Sequence, residues 1–423
     1  MAVAVNISTI TPALEQLMED ELRPQFEQEA TSYNMFAAGS GEYVNGKGWR
    51  IPSYLRPPTG VSGIGEGGSF AQPSAETNDD MYVSAETNLT MAFEYTGSAL
   101  RDINSSTSLI KGIGDSMKTR TMALMKEANF QVFNDGSAAR ATYKSNSSGV
   151  LTLYNAIDHT PLAGGFSTKG AVQCRVGQQY DWYDSTLATF RGTITPTAKT
   201  NKTITVTSAS VPSGATDGDI LVLSNSLYKT PRGLQYIINN DTGLFQMQSR
   251  STYPELKSVV EDLNGAAITV ATFNKVKRNL EARAGVGKAK TVVAVIPEAQ
   301  DQALVQLGQN FKRWDGDAKT FDGAFQDFRH GDTVAKKDPD CDEDRIYLVV
   351  PSEIKKYQRS ALDIVDLDGQ KLRMRAGVSG YGSDAYTGAI GGWYNLGSPE
   401  PRCHALIKRC AVSGLASQVS ANA

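Results

Sequence analysis

The residues able to do chemistry are few, and their spacing fits no familiar site. Soft metal ligands would have to come from His330, Cys341, Cys403, His404 and Cys410. No C-x-x-C spacing occurs among them, and adjacent Cys403 and His404 on a strand would face opposite ways. Asp338, Asp340, Asp342 and Asp344 alternate along the chain, and Asp366-Leu367-Asp368-Gly369 is also acidic. Neither stretch has calcium-loop spacing with a closing glutamate, so both read as solvated turns. Gly63-Ile64-Gly65-Glu66-Gly67-Gly68 satisfies G-x-G-x-x-G. A pyrophosphate site needs a strand before that motif and a helix after it, because the helix N-terminus holds the anion. Here Pro57-Pro58 precede and Pro73 follows, which predicts a loop. Gly285-Val286-Gly287-Lys288 hints at a phosphate loop, but position 282 is Ala and Ala289 stands where Ser or Thr must bind the metal. It reads as a glycine turn ending a helix. There is no G-x-S-x-G, and three histidines in 423 residues are sparse for acid–base work. No catalytic residue, cofactor or metal is predicted. The chain reads as one built to assemble, not as an enzyme.

Any such chemistry would need rigid elements, and the firmest in the sequence is Thr107–Phe133. Ile110, Ile113, Met117, Leu124, Ala128 and Val132 recur at three- and four-residue steps, forming one helical stripe. Ser105, Ser106 and Thr107 offer N-cap oxygens, while Gly112 and Gly114 weaken the first turn, so a firm helix is expected from Asp115. Asn134-Asp135-Gly136 is a stop. At 1.5 Å per residue the rod is about 30–40 Å long. With 423 residues and 40% hydrophobic content, the chain can fill two or three domains around real cores. A net charge of -3 argues against a sequence-reading nucleic-acid protein. No run approaches the ~18 apolar residues of a membrane span, and the start lacks a basic n-region, so neither membrane nor secretion is expected. The four cysteines show no disulfide framework and read as reduced thiols in a cytosolic protein.

In chain order, residues 1–45 read as an arm. Thr11-Pro12 caps a short helix with Leu14, Leu17, Met18 and Leu22 on one face, ended near Pro24, and its polar face is acidic. Residues 46–100 predict a long β-hairpin with limbs Trp49–Leu55 and Met81–Tyr95 around a Gly-, Pro- and Ser-rich connection. Residues 138–230 turn to Thr, Ser, Val and Gly, with β runs at Thr203–Thr207 and Ile220–Leu223: a β-rich insertion. Pro231-Arg232-Gly233-Leu234 leads back to the main fold. From about 265 the pattern is helix, strand, helix. Thr269 caps a helix with Val270, Phe273, Val276 and Leu280 inward; the strand Thr291–Ile296 follows, and Pro297 opens a helix through Leu307. Residues 308–344 are an aspartate-rich excursion, Arg345–Val350 a strand, and Pro351 starts a short helix to Tyr357. A closing hairpin of Tyr386–Leu396 and Arg402–Val412 is expected around Ser398-Pro399-Glu400-Pro401.

This order of elements resembles the major capsid protein of tailed bacteriophages, in the Hong Kong 97-like fold. LMKEANFQVFNDG is similar to the end of that family's spine helix, and ATFNKVKRNLEARAGVGKAKTVVAVIPEAQDQAL to its helix–strand–helix passage. DAYTGAIGGWYNLGSPEPRCHALIKRC resembles its closing strands. The resemblance implies an α+β chain in five parts: an N-terminal arm (1–45), an extended loop (46–100), the spine helix of a peripheral domain (101–137), a β-rich insertion domain (138–230), and the rest of the peripheral and axial domains (231–423). It implies copies of the chain in hexamers and pentamers, closing an icosahedral shell around double-stranded DNA that is bound without sequence specificity. A separate scaffolding protein, a portal and a decoration protein are the partners it implies, with assembly in the host bacterial cytoplasm and residence in the virion capsid. Some relatives weld the shell through a lysine of the extended loop. Here no lysine lies between Lys47 and Lys111, so no such cross-link is expected.

The charge layout suggests how neighbours meet. The loop carries Glu66, Glu76, Asp79 and Asp80, and the spine carries Lys118, Arg120 and Lys126. If one subunit's loop crosses the next subunit's spine, these opposite charges steer and register the contact. Gly63, Gly65, Gly67 and Gly68 at the loop tip, with Gly39 and Gly41 in the arm, are the expected points of bending. An encapsulin-like nanocompartment shell, a tail tube or sheath subunit, and an enzyme with a β-rich insertion are the competing readings.

Overall fold

The computed structural model describes residues 30–56, 61–69, 72, 77–85, 87–96, 107–155, 170–309, 329–330, 333–365, 373–376 and 382–411. The expected arm helix at 11–22, Glu76 and the 366–369 acids lie outside them.

The long helix runs Thr107–Phe133, 27 residues, so it measures about 40 Å. It is continuous through Gly112 and Gly114 instead of starting at Asp115: two glycines cost about 1 kcal/mol each, too little to break an unbroken hydrogen-bond ladder. Leu124, Ala128 and Val132 are buried as the spacing predicts, and Phe130 and Phe133 are buried with them. The side chains of Ile110, Ile113 and Met117 lie outside the described residues. The stop works through Gly136, whose φ of 93° is left-handed. A Cβ there would also sit 2.7 Å from Arg232 Cγ, so both conformation and space call for glycine.

The hairpin forms, but with a different second limb. Gly48–Arg56 pairs antiparallel with Thr77–Val83, Trp49 opposite Val83 and Arg56 opposite Thr77, and Glu42–Val44 adds a third strand. The expected limb Met81–Tyr95 is divided. Leu89–Thr96 leaves the hairpin and pairs with the long strand Gly382–Gly397, Leu89 opposite Gly392 and Thr96 opposite Ala385. Alternation marks both segments as strands and cannot choose their partners. The break between them is pinned from afar: Thr87 Oγ1 donates to Tyr394 O at 2.8 Å and Asn88 N to Lys229 O at 3.0 Å.

Gly382–Gly397 also pairs with Lys355–Ile364 and Arg373–Ala376, and Ala37–Ala38 joins the far side of Lys355–Ile364. The helix expected from Pro351 is a single 3-10 turn, Pro351–Glu353, because the chain goes straight into the strand Lys355–Ile364. The closing hairpin is also corrected. Ala405–Lys408 does not pair with Gly382–Gly397; it lies in a second, six-stranded sheet between Val259–Asp262 and Ile346–Val349. The turn Pro401–Cys403 carries the chain from one sheet to the other. Val293–Ile296, Thr333–Lys337 and Arg329–His330 complete that sheet.

The six-stranded sheet is covered on both faces. Val295, Tyr347, Val349 and Leu406 face the core that holds the long helix. Their neighbours Ala294, Ile296, Ile346, Leu348, Ala405 and Ile407 face the opposite core, under helix Val270–Ala284. This alternation is the period-two consequence of a pleated strand. Helix Val270–Ala284 begins as predicted, with Thr269 Oγ1 accepting from Thr272 N at 3.1 Å and Phe273, Val276 and Leu280 buried. A further helix spans Glu298–Gln309.

Residues 139–223 build a separate seven-stranded sheet. Its order is Ala198–Lys199, Thr203–Thr205, Val150–Asn155, Ala139–Ser147, Ile220–Leu223, Tyr180–Tyr183, Phe190–Ile194. The two edge strands, Phe190–Ile194 and Ala198–Lys199, are joined by only Thr195, Pro196 and Thr197, so the sheet curls toward closure around Trp182, Tyr143, Leu151, Leu153, Ile204 and Leu221. Its two ends meet at the foot of the long helix: Gly233 N donates to Asn134 O at 2.8 Å and Thr230 Oγ1 to Gly136 O at 3.1 Å.

Candidate assembly surface

Among the described residues, the cysteines and His404 are buried. Cys174, Cys341, Cys403 and Cys410 are all free and buried. Burial pushes the Cys403 thiol up to about 12, reinforced by the neighbouring Glu400 carboxylate, and burial pushes Cys174 to about 12. Neither supplies thiolate at neutral pH. His404 is fully buried. Its Nδ1 accepts from Val350 N at 3.2 Å and its Nε2 faces Ser398 Oγ at 3.2 Å. Burial lowers it to about 3, so it stays neutral and serves as a bolt between strands. Gly285 ends helix Val270–Ala284 with φ 84°, its N–H on Glu281 O; Lys288 turns away to ion-pair with Glu400 and Glu353. The Gly63–Gly68 stretch is exposed, with a turn closed by Gly68 N on Gly65 O at 2.9 Å. Among the described residues no group of three or more His, Cys, Asp or Glu could hold a metal ion, and no helix is long and apolar enough to cross a membrane.

The aspartate run is not a set of solvated turns. Asp338, Asp340 and Asp342 are buried. Their partners come from two distant segments. Ser32 donates to Asp338 Oδ2 from its backbone N at 3.1 Å and its hydroxyl at 2.6 Å. Asn129 of the long helix donates through Nδ2 to Asp338 Oδ1 at 3.0 Å and Asp340 Oδ2 at 2.7 Å, and its Oδ1 accepts from Tyr33 N at 2.9 Å. Lys126 Nζ lies 3.0 Å from Asp340 Oδ1. Burial pushes Asp340 up, against the downward pull of Lys126 and Asn129. Residues 30–36, the first described, are therefore fixed and largely buried at this junction. Sequence reasoning missed this junction because the partners of the acids lie more than 200 residues away.

One residue further along the helix, Glu127 faces the curled sheet. It forms a buried ion pair with Arg140, accepts from Gln131 Nε2 at 2.9 Å, and has Arg175 NH2 3.6 Å from Oε2. Burial favours the neutral acid, but Arg140 and Arg175 override it and hold Glu127 below the usual glutamate range. Arg140 also stacks 4.5 Å over the Phe130 ring.

The predicted contact charges fall into different settings. Glu66 and Lys118 are exposed. Asp80 pairs with Arg50 at 2.8 Å, Asp79 Oδ2 accepts from Tyr253 OH at 3.4 Å, and Arg120 NH1 reaches Ala92 O at 3.5 Å. Lys126 is engaged by Asp340 within the chain. Gly39 and Gly41 have a packing reason: a Cβ at either would lie 2.9 or 3.1 Å from Tyr357 Cε1. At Gly63, Gly65 and Gly67 a Cβ would meet nothing within 4 Å.

No protein-family model and no curated protein matches the sequence. Among solved structures the chain is similar to the cyanophage A-1(L) capsid asymmetric unit, with TM-score 0.55 and 11% identity over 93% of this chain and 96% of that one. It is also similar to the capsid of an empty GTA particle (TM-score 0.49, 8% identity, 93% and 94% covered) and to Gordonia phage Cozz (0.43, 10%, 96% and 96%). The first of these likenesses defines the class: the chain has a phage capsid fold of the α+β type, over nearly its whole length.

Proposed function

We propose that the chain is a major capsid protein whose copies, as hexamers and pentamers, close an icosahedral shell around the double-stranded DNA of a tailed bacteriophage. The observation that carries this is the end-to-end likeness to the cyanophage A-1(L) capsid chain. The inert thiols and the neutral His404 support a mechanical role without catalysis. The chain would assemble in the host bacterial cytoplasm with a separate scaffolding protein and a portal, remain in the virion capsid, and contact DNA without reading its sequence. A decoration protein would add cohesion in place of loop cross-links. Exposed Glu66 and Lys118 are the charges best placed to steer one copy's loop onto another's spine, with Gly63, Gly65, Gly67 and Gly68 giving the tip its freedom.

Electron microscopy of the purified protein, alone and co-expressed with its genomic neighbours, tests this. Closed isometric shells or five- and six-fold rings are expected. Open tubes, or a monodisperse monomer under every condition, would overturn it. Reversal of Lys118 to Glu should slow assembly, most at low salt, where the Debye length is ~30 Å at 0.01 M.

A further inference from the structure

Among the described residues, the charges of the curled sheet are sorted to opposite sides. Residues 139–155, 170–180 and 196–206 hold Arg140, Lys144, Arg175, Lys199 and Lys202 and no Asp or Glu. The acids Asp181, Asp184, Asp217 and Asp219 lie in the remaining strands and turns.

Short-range contacts join these bases into one arc. Arg140 is buried against Glu127, and Arg175 NH2 lies 3.6 Å from Glu127 Oε2. Beside Arg175, Lys199 Nζ donates to Val172 O at 3.2 Å and Cys174 O at 2.9 Å. Leu153 N donates to Lys202 O at 2.9 Å, which sets Lys202 against the strand Val150–Asn155. Lys144, on the adjoining strand Ala139–Ser147, lies 5.1 Å over the ring of Tyr154. Lys144, Arg175, Lys199 and Lys202 are exposed. Asp217 marks the border of the arc, next to Gly218, whose N donates to Tyr143 O at 3.0 Å.

The surface between the bases is polar. Ser145, Asn146, Ser147, Gln178, Gln179 and Thr200 are exposed. Among the described residues of these segments, the large apolar side chains left exposed are Val150, Val172 and Val176. Tyr143 and Tyr180 are buried, and Tyr154 lies under Lys144. A protein interface needs a core of aromatic or long apolar side chains, and a single-stranded nucleic acid needs exposed rings on which its bases stack. The arc offers neither. Bases, hydroxyls and amides are the groups that hold a phosphate backbone and position a duplex without reading its sequence. The four adjacent strands that carry the arc, at ~4.8 Å each, span about 14 Å, the length of about four base pairs at ~3.4 Å each.

We infer that this arc of the curled sheet binds the phosphate backbone of double-stranded DNA. Lys144, Lys199 and Lys202 are the charges that meet phosphates, and Arg175 is held back by Glu127. The inference rests on the reading of a DNA-filled shell, and it turns this side of the curled sheet toward the lumen.

The test is fluorescence anisotropy of a labelled duplex of ~20 base pairs, titrated with the full-length protein between ~0.02 and ~0.2 M salt. Three phosphate contacts give a slope of log K against log salt of about -3. Lys144→Gln with Lys202→Gln should bring that slope to about -1 and weaken binding about ten-fold or more at ~0.05 M salt. Both side chains are exposed, and Lys199, which holds two carbonyls, stays in place. Arg278→Gln with Lys290→Gln removes the same charge at two exposed positions outside the sheet and should leave the slope unchanged. Equal losses in the two double variants, or full binding without Lys144 and Lys202, would overturn the inference. Equal competition by polygalacturonate at the same charge concentration would also overturn it, in favour of an acidic polysaccharide. Shells that form from a protein whose arc binds no duplex would defeat this inference alone. Lysine-dependent duplex binding by a protein that forms only open tubes would defeat the shell reading alone.

Discussion

Lys126 and Glu127 are adjacent on one helix and tie it to two different parts of the chain by two different kinds of junction. Lys126, with Asn129, holds Asp338 and Asp340 under the arm root, where Asn129 and Ser32 supply most of the hydrogen bonds. Glu127 holds the curled 139–223 sheet through a buried ion pair with Arg140, a charge met by an opposite charge. The difference lies in how burial is offset. At the arm root, desolvation prevails and Asp340 is pushed up; at the sheet clamp, the arginines prevail and Glu127 is held down. One helix thus carries a junction that tolerates acid and another that acid loosens.

The sharpest way to break this comparison is Arg140→Ala. It leaves Glu127 buried without its ion pair, and a loss of about 3–5 kcal/mol is expected in denaturant unfolding. Glu127→Gln with Arg140→Met should recover most of that loss. If the single substitution costs under about 1 kcal/mol, the clamp is not a coupled pair. The arm root should respond less. Asn129→Ala removes donors from Asp338 and Asp340 and the acceptor of Tyr33 N, for about 1–3 kcal/mol, read as faster amide exchange at Ser32 and Tyr33 with the 139–223 strands unchanged.

Gly39 separates packing from bending near the arm root, where its N–H donates to Lys356 O at 2.7 Å. Gly39→Ala drives a Cβ into the Tyr357 ring and should cost about 1–3 kcal/mol, whereas Gly63→Ala should stay within ~0.5 kcal/mol. Equal costs would return Gly39 to a hinge role.

The smallest effect is one of order. Glu127's folded value lies below its unfolded one, so its contribution is present above the ordinary glutamate pKa of about 4.3 and fades as pH falls through the folded value. Asp340's folded value lies above its unfolded one, so its protonation on acidification favours the folded state. Amide exchange followed from pH 7 down through ~4 to ~2 should show the 139–155 strands losing protection before Ser32 and Tyr33, with the loss confined to the range below the ordinary glutamate value. The reverse order would contradict the assignment of the two junctions.

The sequence by itself determined what is local. The long helix, its stop at Gly136, and helix Val270–Ala284 with its Thr269 cap were legible because helix bonds close within four residues and caps lie beside them. The order of such elements carried the fold. Tertiary structure alone decided the rest. Leu89–Thr96 alternates like the hairpin strand before it, yet its partner lies at 385–392, and alternation holds no address. Asp338 and Asp340 look like solvated acids until Ser32 and Asn129 arrive from distant sequence and make burial affordable in hydrogen bonds. Strand partners and buried polar groups depend on which remote segments meet, and the sum of the whole chain's packing sets that.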